Sequence, residues 1–162
     1  MKRHIAIVGV VGEIKKQIAK SLADLLDMMV FDCQEYISFG NAMTVQQLIK
    51  KTNVTYFKKQ VSKSVRELDD LQNMVFVSSD VSLLSVDDLQ KLGANCYVVH
   101  LFDGTCLSND GQNQATTDEN FARKSLNAYK RYRNRCDFSL DINGLAVDQA
   151  VQKICLFLQN QI

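Results

Sequence analysis

Apolar residues along this chain fall into two alternating registers. Short unbroken runs at residues 4–8, 28–32 (MMVFD), 74–78 (MVFVS), 95–101 (NCYVVHL) and 138–142 (FSLDI) are separated by longer stretches in which apolar positions step by three and four. Runs of that length without alternation predict strands covered on both faces, and the stepped stretches predict amphipathic helices. Three stepped stretches are long: Ile14, Ile18, Leu22, Leu25 and Leu26; Val54, Phe57, Val61, Val65 and Leu68; and Val147, Ala150, Val151, Ile154 and Leu158. Strands that alternate with helices predict an α/β fold, a parallel sheet flanked by helices on both faces.

Local residue chemistry sharpens the shorter elements. Cys33–Phe39 opens a helix or turn, Thr44 begins a helical run through Val45, Leu48 and Ile49, and Ser85 is placed to cap a helix over VDDLQKL that Gly93 closes. Residues 103–117 (DGTCLSNDGQNQATT) are polar and lack apolar periodicity, which predicts a lid or an unstructured connection, and a basic helix follows over 118–135.

With 162 residues, the chain is expected to form one domain over 1–162 with a sizeable core. Nineteen basic and eighteen acidic residues leave a formal charge of +1, so no overall field favours nucleic acid or an anionic membrane. No apolar stretch is long enough to span a bilayer, and the first residues read as a strand rather than a targeting segment. The five cysteines are widely spaced without a C-x-x-C pair, which argues against a disulfide framework and a zinc site and points to a reducing cytoplasm.

The stretch Ile5–Ser21, IAIVGVVGEIKKQIAKS, reads as strand, two-glycine turn and helix, and it carries part of a phosphate-binding loop. Against G-x-x-x-x-G-K-[S/T], Gly9 and Lys15 match, while Ile14 takes the second glycine and Lys16 takes the hydroxyl. Loss of the glycine is expected to distort or fill the phosphate cradle, and loss of the hydroxyl removes a magnesium ligand. Glu13 places a negative charge at the same turn. Gly9, Gly12, Lys15 and Lys16 are therefore the candidate cofactor-binding residues, for ATP and magnesium bound weakly and for no other cofactor or resident metal. An ordinary tight strand-to-helix turn with two solvated lysines accounts for the same residues.

The order of pieces resembles the shikimate kinases, small P-loop kinases of the nucleoside-monophosphate-kinase type, over nearly the whole chain. That resemblance implies the strand order 2-3-1-4-5 and assigns roles residue by residue. The family's second strand ends in D-x-D, and FDCQEYI keeps Asp32, on the magnesium side, with Gln34 where an acid holds substrate hydroxyls. The family's F-R-x-x-E corresponds to Phe57, Lys58 and Val61; lysine keeps the charge that grips the substrate carboxylate but not the bidentate fork. The glycine triplet after the third strand corresponds to Ser79, Asp80 and Val81, and the lid stretch 103–117 has neither arginine nor proline. Near the end, Tyr132 and Cys136-Asp137 keep the family spacing, which puts Ala128 at the substrate arginine and leaves Arg131 or Arg133 to substitute.

The resemblance thus implies Lys15 and Asp32 as catalytic residues and Gln34, Lys58 and Arg131 as substrate-binding ones. Phosphoryl transfer depends on cations and donors around the transferred group, and much of that set is missing. The expected function is a non-catalytic shikimate-kinase-like protein, a pseudokinase that binds a metabolite, nucleotide or protein. The alternative is an active ATP-dependent kinase of a small-molecule hydroxyl with an altered site. Arg123–Arg135, with Tyr129 and Tyr132 interleaved, is weighed as a nucleic-acid surface and set below a solvated basic helix. His100, inside a strand, reads as a packed histidine, and the cysteines as buried thiols rather than nucleophiles.

Overall fold

The computed structural model describes residues 1–9, 12–78, 84–107, 123, 127 and 130–161. Strands β1 (His4–Gly9), β2 (Met29–Asp32), β3 (Met74–Val77), β4 (Cys96–Phe102) and β5 (Phe138–Asp141) form one sheet in the order β2-β3-β1-β4-β5. Every pairing is parallel, with β1 central between β3 and β4. The expected strands lie within a residue or so of those observed, and the expected order is the order found.

Helices α1 (Gly12–Leu26), α2 (Cys33–Asn41), α3 (Val45–Lys51), α4 (Val54–Glu67), α5 (Val86–Asn95) and α6 (Val147–Gln159) cover the two faces. Successive side chains of a strand point to opposite faces, so each strand feeds two cores. On one face Ala6, Val8, Phe76 and Val98 pack with Ile37, Leu48, Phe57, Val61 and Leu92. On the other, Ile5, Ile7, Val75 and Val99 pack with Ile18 and Leu22 of α1 and Val151 and Ile154 of α6. The buried positions of α1, α4 and α6 follow the three- and four-residue steps of the sequence, although Leu25 and Leu26 at the end of α1 and Val54 at the start of α4 lie exposed.

Caps set where the helices begin. Thr44 and Gln47 form a reciprocal capping box on α3, Asn53 caps α4, and Ser85 and Asp88 form a second box on α5. Asp88 is buried because Ser62 Oγ also donates to it at 2.9 Å. Gly93 does not close α5: it lies among helical residues with no positive φ, and the helix continues to Asn95, where β4 begins at the next residue. The turn after α2 is closed by an alanine, Ala42, in the left-handed region at φ 51°. Ala42→Gly is therefore expected to stabilise the protein by about 0.5–1 kcal/mol, the left-handed strain removed exceeding the entropy that glycine adds to the unfolded chain. Urea denaturation of the two proteins measures it, with a higher midpoint and an unchanged slope expected for the variant.

Candidate phosphate-binding site

The candidate site forms where the central strand ends. Gly9 closes β1 at φ 135°, and an added Cβ there would lie 2.1 Å from the backbone oxygen of Leu101 on β4. Gly12, at φ 50°, begins α1. Both glycines thus occupy backbone conformations that an L side chain resists. Val10 and Val11 lie outside the described residues.

Ile14 does not play its expected part. It lies within α1, is not among the residues with positive φ, and packs partly buried against the core between α1 and α6. A helical conformation needs no glycine, and an isoleucine one turn before Ile18 gains from facing the core. Its side chain therefore faces the core between α1 and α6 rather than the cradle. Glu13 is exposed beside it.

Lys15 turns inward. It is 7% exposed, and Nζ donates to the carbonyl oxygens of Gly9 at 3.1 Å and Ser78 at 2.8 Å. These bonds stitch the β1–α1 loop to the end of β3 and satisfy a buried ammonium, which would otherwise be costly. Ser78 was not singled out in the sequence, although its place just after a buried strand, at the end of the sheet that carries the loop, is the available signal.

Lys16, one residue on, turns to the other side and meets Asp32. Its Nζ is 3.3 Å from Asp32 Oδ2, with the lysine side chain 37% and the aspartate side chain 5% exposed. Asp32 ends β2 and caps α2, its Oδ1 accepting the backbone N–H of Gln34 at 2.8 Å and of Glu35 at 3.2 Å. One oxygen is thus fixed by the helix and the other faces the ammonium. Gln34 is half-buried and joins the cluster through its backbone N–H.

The remaining candidates stand apart. Lys58 is exposed on α4, and Val61, one turn on, is fully buried in the core. Arg131 is half-buried, its backbone oxygen accepting from Arg135 Nη1. Neither the Lys58 nor the Arg131 side chain bonds to the Lys15–Lys16–Asp32 cluster among the described residues. Tyr132 is fully buried with its ring 5.6 Å from that of His100, so it offers no face for base stacking. His100 is the packed histidine expected, and burial pushes its pKa down to about 4. Burial pushes the Cys96 thiol up to about 12 and also raises Cys136 and Cys155, which keeps these thiols protonated and unreactive. Residues 79–81, most of the lid stretch and Ala128 lie outside the described residues; within the lid stretch, Gly104–Leu107 form a short 3-10 turn.

A family model described as shikimate kinase matches residues 11–159. The chain belongs to the shikimate kinase family. It is 25% identical over 101 residues to the shikimate kinase of Alkaliphilus oremlandii, a match covering 62% of this chain and 60% of that protein. It is 29% identical over 100 residues to shikimate kinase 1 of Yersinia enterocolitica, covering 62% and 58%. The matched stretch thus spans about three fifths of the length of these curated relatives. The fold is similar to that of shikimate kinase from Acinetobacter baumannii in complex with shikimate, with a TM-score of 0.78 at 21% identity over 100% of this chain and 96% of that one. Shikimate kinase from Bacteroides thetaiotaomicron superposes with the same TM-score at 17% identity, covering 97% and 98%.

Shikimate kinases use ATP and magnesium, and the residues here do not fit that metal. Magnesium asks for near-octahedral oxygen ligands at about 2.1 Å. At this site a protonated amine stands at the position of the usual hydroxyl, and both oxygens of Asp32 are engaged, one by backbone N–H groups and one by that amine. Among the described residues no cluster of three or more His, Cys, Asp or Glu side chains could hold a metal ion. No described helix is long and apolar enough to cross a membrane.

Proposed function

We propose that this chain is a non-catalytic member of the shikimate kinase family, a pseudokinase that keeps the loop as a binding site for a phosphate-bearing metabolite or nucleotide. The observation that supports this reading is the Lys16–Asp32 ion pair, formed between the two positions to which the resemblance assigns the metal-binding hydroxyl and the acid on the magnesium side. Phosphoryl transfer draws its acceleration from positioned positive charge around the transferred group, and each well-placed stabiliser contributes about 3 kcal/mol.

The acceptor side supports the same reading. Gln34 hydrogen-bonds a hydroxyl without supplying a carboxylate, exposed Lys58 has buried Val61 where an acid would steady it, and the lid stretch contains no arginine. Purified protein with magnesium and ATP is expected to show no phosphorylation of shikimate above background in a coupled assay. Saturable turnover at ordinary kinase rates, abolished in Lys15→Ala, would establish the competing reading, an ATP-dependent small-molecule kinase with an altered site. The specific observation on that side is the retained loop backbone at Gly9 and Gly12 above a buried Lys15. Other partners, if the loop has surrendered its phosphate role, are small molecules or proteins rather than nucleic acid, given the net charge of +1 and the burial of Tyr132.

A further inference from the structure

We infer that the Lys16 ammonium is a tethered replacement for the divalent cation, so that this loop excludes magnesium and takes a polyphosphate anion, such as a nucleoside triphosphate, in its metal-free form. This deepens the reading of the loop as a phosphate site and is independent of whether any transfer occurs there.

Three features of the site combine. The carboxylate that would face a magnesium ion is immobilised: Asp32 is buried, and its cap on α2 through Gln34 N–H and Glu35 N–H fixes the direction of its free oxygen. That oxygen meets Lys16 Nζ at 3.3 Å, so a cation already occupies its outward side. A divalent ion entering beside it would meet like charge at short range, with the shared carboxylate unable to turn away. Meanwhile the lysine side chain is 37% exposed, so the amine also reaches solvent with two further protons to donate.

The described residues at the two ends of the turn are compatible with use of that amine. Gly9 and Gly12 hold the backbone at positive φ, Ile14 is drawn into the core, and the first N–H groups of α1 have no partner within the helix. Lys15, buried behind the loop, adds a second positive charge. Counting exposed Glu13 with Asp32, the two lysines and two carboxylates balance at the loop without any metal, so what the site offers an anion is the solvent-facing Lys16 amine together with the first N–H groups of α1. In a metal-dependent loop the hydroxyl contributes nothing until the ion arrives; here the charge is covalently attached.

Calorimetric titration of the whole protein with ATP, in excess magnesium and in EDTA at matched ionic strength, tests the inference. Wild-type affinity is expected to be equal in the two buffers within about twofold, and Lys16→Ser is expected to bind more tightly in magnesium than in EDTA by about tenfold. Wild-type binding that strengthens tenfold with magnesium would overturn the inference, as would a wild type that binds ATP in neither buffer or a Lys16→Ser protein indifferent to the metal. Circular dichroism establishes that the variant is folded; if it is not, the wild-type pair of titrations decides alone. Turnover of shikimate, should it be found, would defeat the pseudokinase reading and leave these binding outcomes unchanged.

Discussion

Gly9→Ala is expected to cost the protein about 4 kcal/mol, a large part of the stability of a domain whose total is typically about 5–15 kcal/mol. Two costs coincide at this residue. Its φ of 135° is a conformation that side chains rarely adopt, a strain of about 1–3 kcal/mol. The added Cβ would also lie 2.1 Å from Leu101 O, a backbone atom of the strand paired with β1 in the middle of the sheet. A flexible neighbour could swing aside, but here β1 and β4 must part, which disturbs the cores on both faces. Gly12 supplies the internal control. It too has a positive φ, of 50°, yet an added Cβ meets nothing within 4 Å, so Gly12→Ala should cost only about 1 kcal/mol. Urea denaturation of both variants measures the contrast. Equal losses would mean that φ alone, and not the approach of β4, makes Gly9 necessary.

Acidification is the second large effect. His100 is 1% exposed on β4, with the rings of Phe102 and Tyr132 each 5.6 Å away. Burial holds its pKa at about 4, against 6.5 for the unfolded residue. Above pH 6.5 the imidazole is neutral in both states and the shift has no effect on stability. Between pH 6.5 and about 4 the unfolded chain binds a proton that the folded one refuses, so stability falls with pH across that window, by about 3 kcal/mol in all. Below it both states are protonated and the loss stops growing. His4 adds to the same trend: burial lowers its pKa, and its Nδ1 accepts the Met74 N–H at 3.2 Å. The effect of His100 is isolated by His100→Phe, which places a third ring among aromatic neighbours. Measured from neutral pH to the acid end of the window, the denaturation midpoint of the wild type should fall relative to that of the variant, whose pH slope lacks the His100 contribution. An unchanged pH slope in the variant would rule out His100 as the source.

The architecture was legible because burial leaves its period in the sequence. Strands covered on both faces are apolar without interruption, and helices covered on one face repeat at three and four residues, so β1 to β5, α4 and α6 could be marked within a residue or two. The Ser85 cap and the helix start at Thr44 were legible for a different reason: each hydroxyl satisfies a backbone donor three residues away, an interaction contained within the local sequence. The sheet order came only through the resemblance, since periodicity says nothing about which strands are neighbours. At the site, motif spacing singled out Gly9, Gly12, Lys15 and Asp32, but it assigned the wrong consequence to Ile14. A motif records which residue type is absent, not where its replacement will point.

By itself, then, the sequence determined the alternation of strands and helices and the place of the loop; Lys16, Gln34 and a lid stretch without arginine stand out only against the family resemblance. Only the tertiary structure decided which of the residues at the loop meet. Lys16 and Asp32 are sixteen positions apart, on different elements, and meet because β2 and α1 are brought together on the same side of the sheet. Ile14 faces the core because α6 covers that side of α1, and Lys15 is satisfied by Ser78 because β3 lies next to β1. Gly93 stays helical and Ala42 turns left-handed against their local preferences. Local propensities are worth about 1 kcal/mol each, while contacts between distant segments accumulate over whole faces, so packing overrules them. The ion pair at this loop was decided at that second level, between a lysine and an aspartate sixteen positions apart.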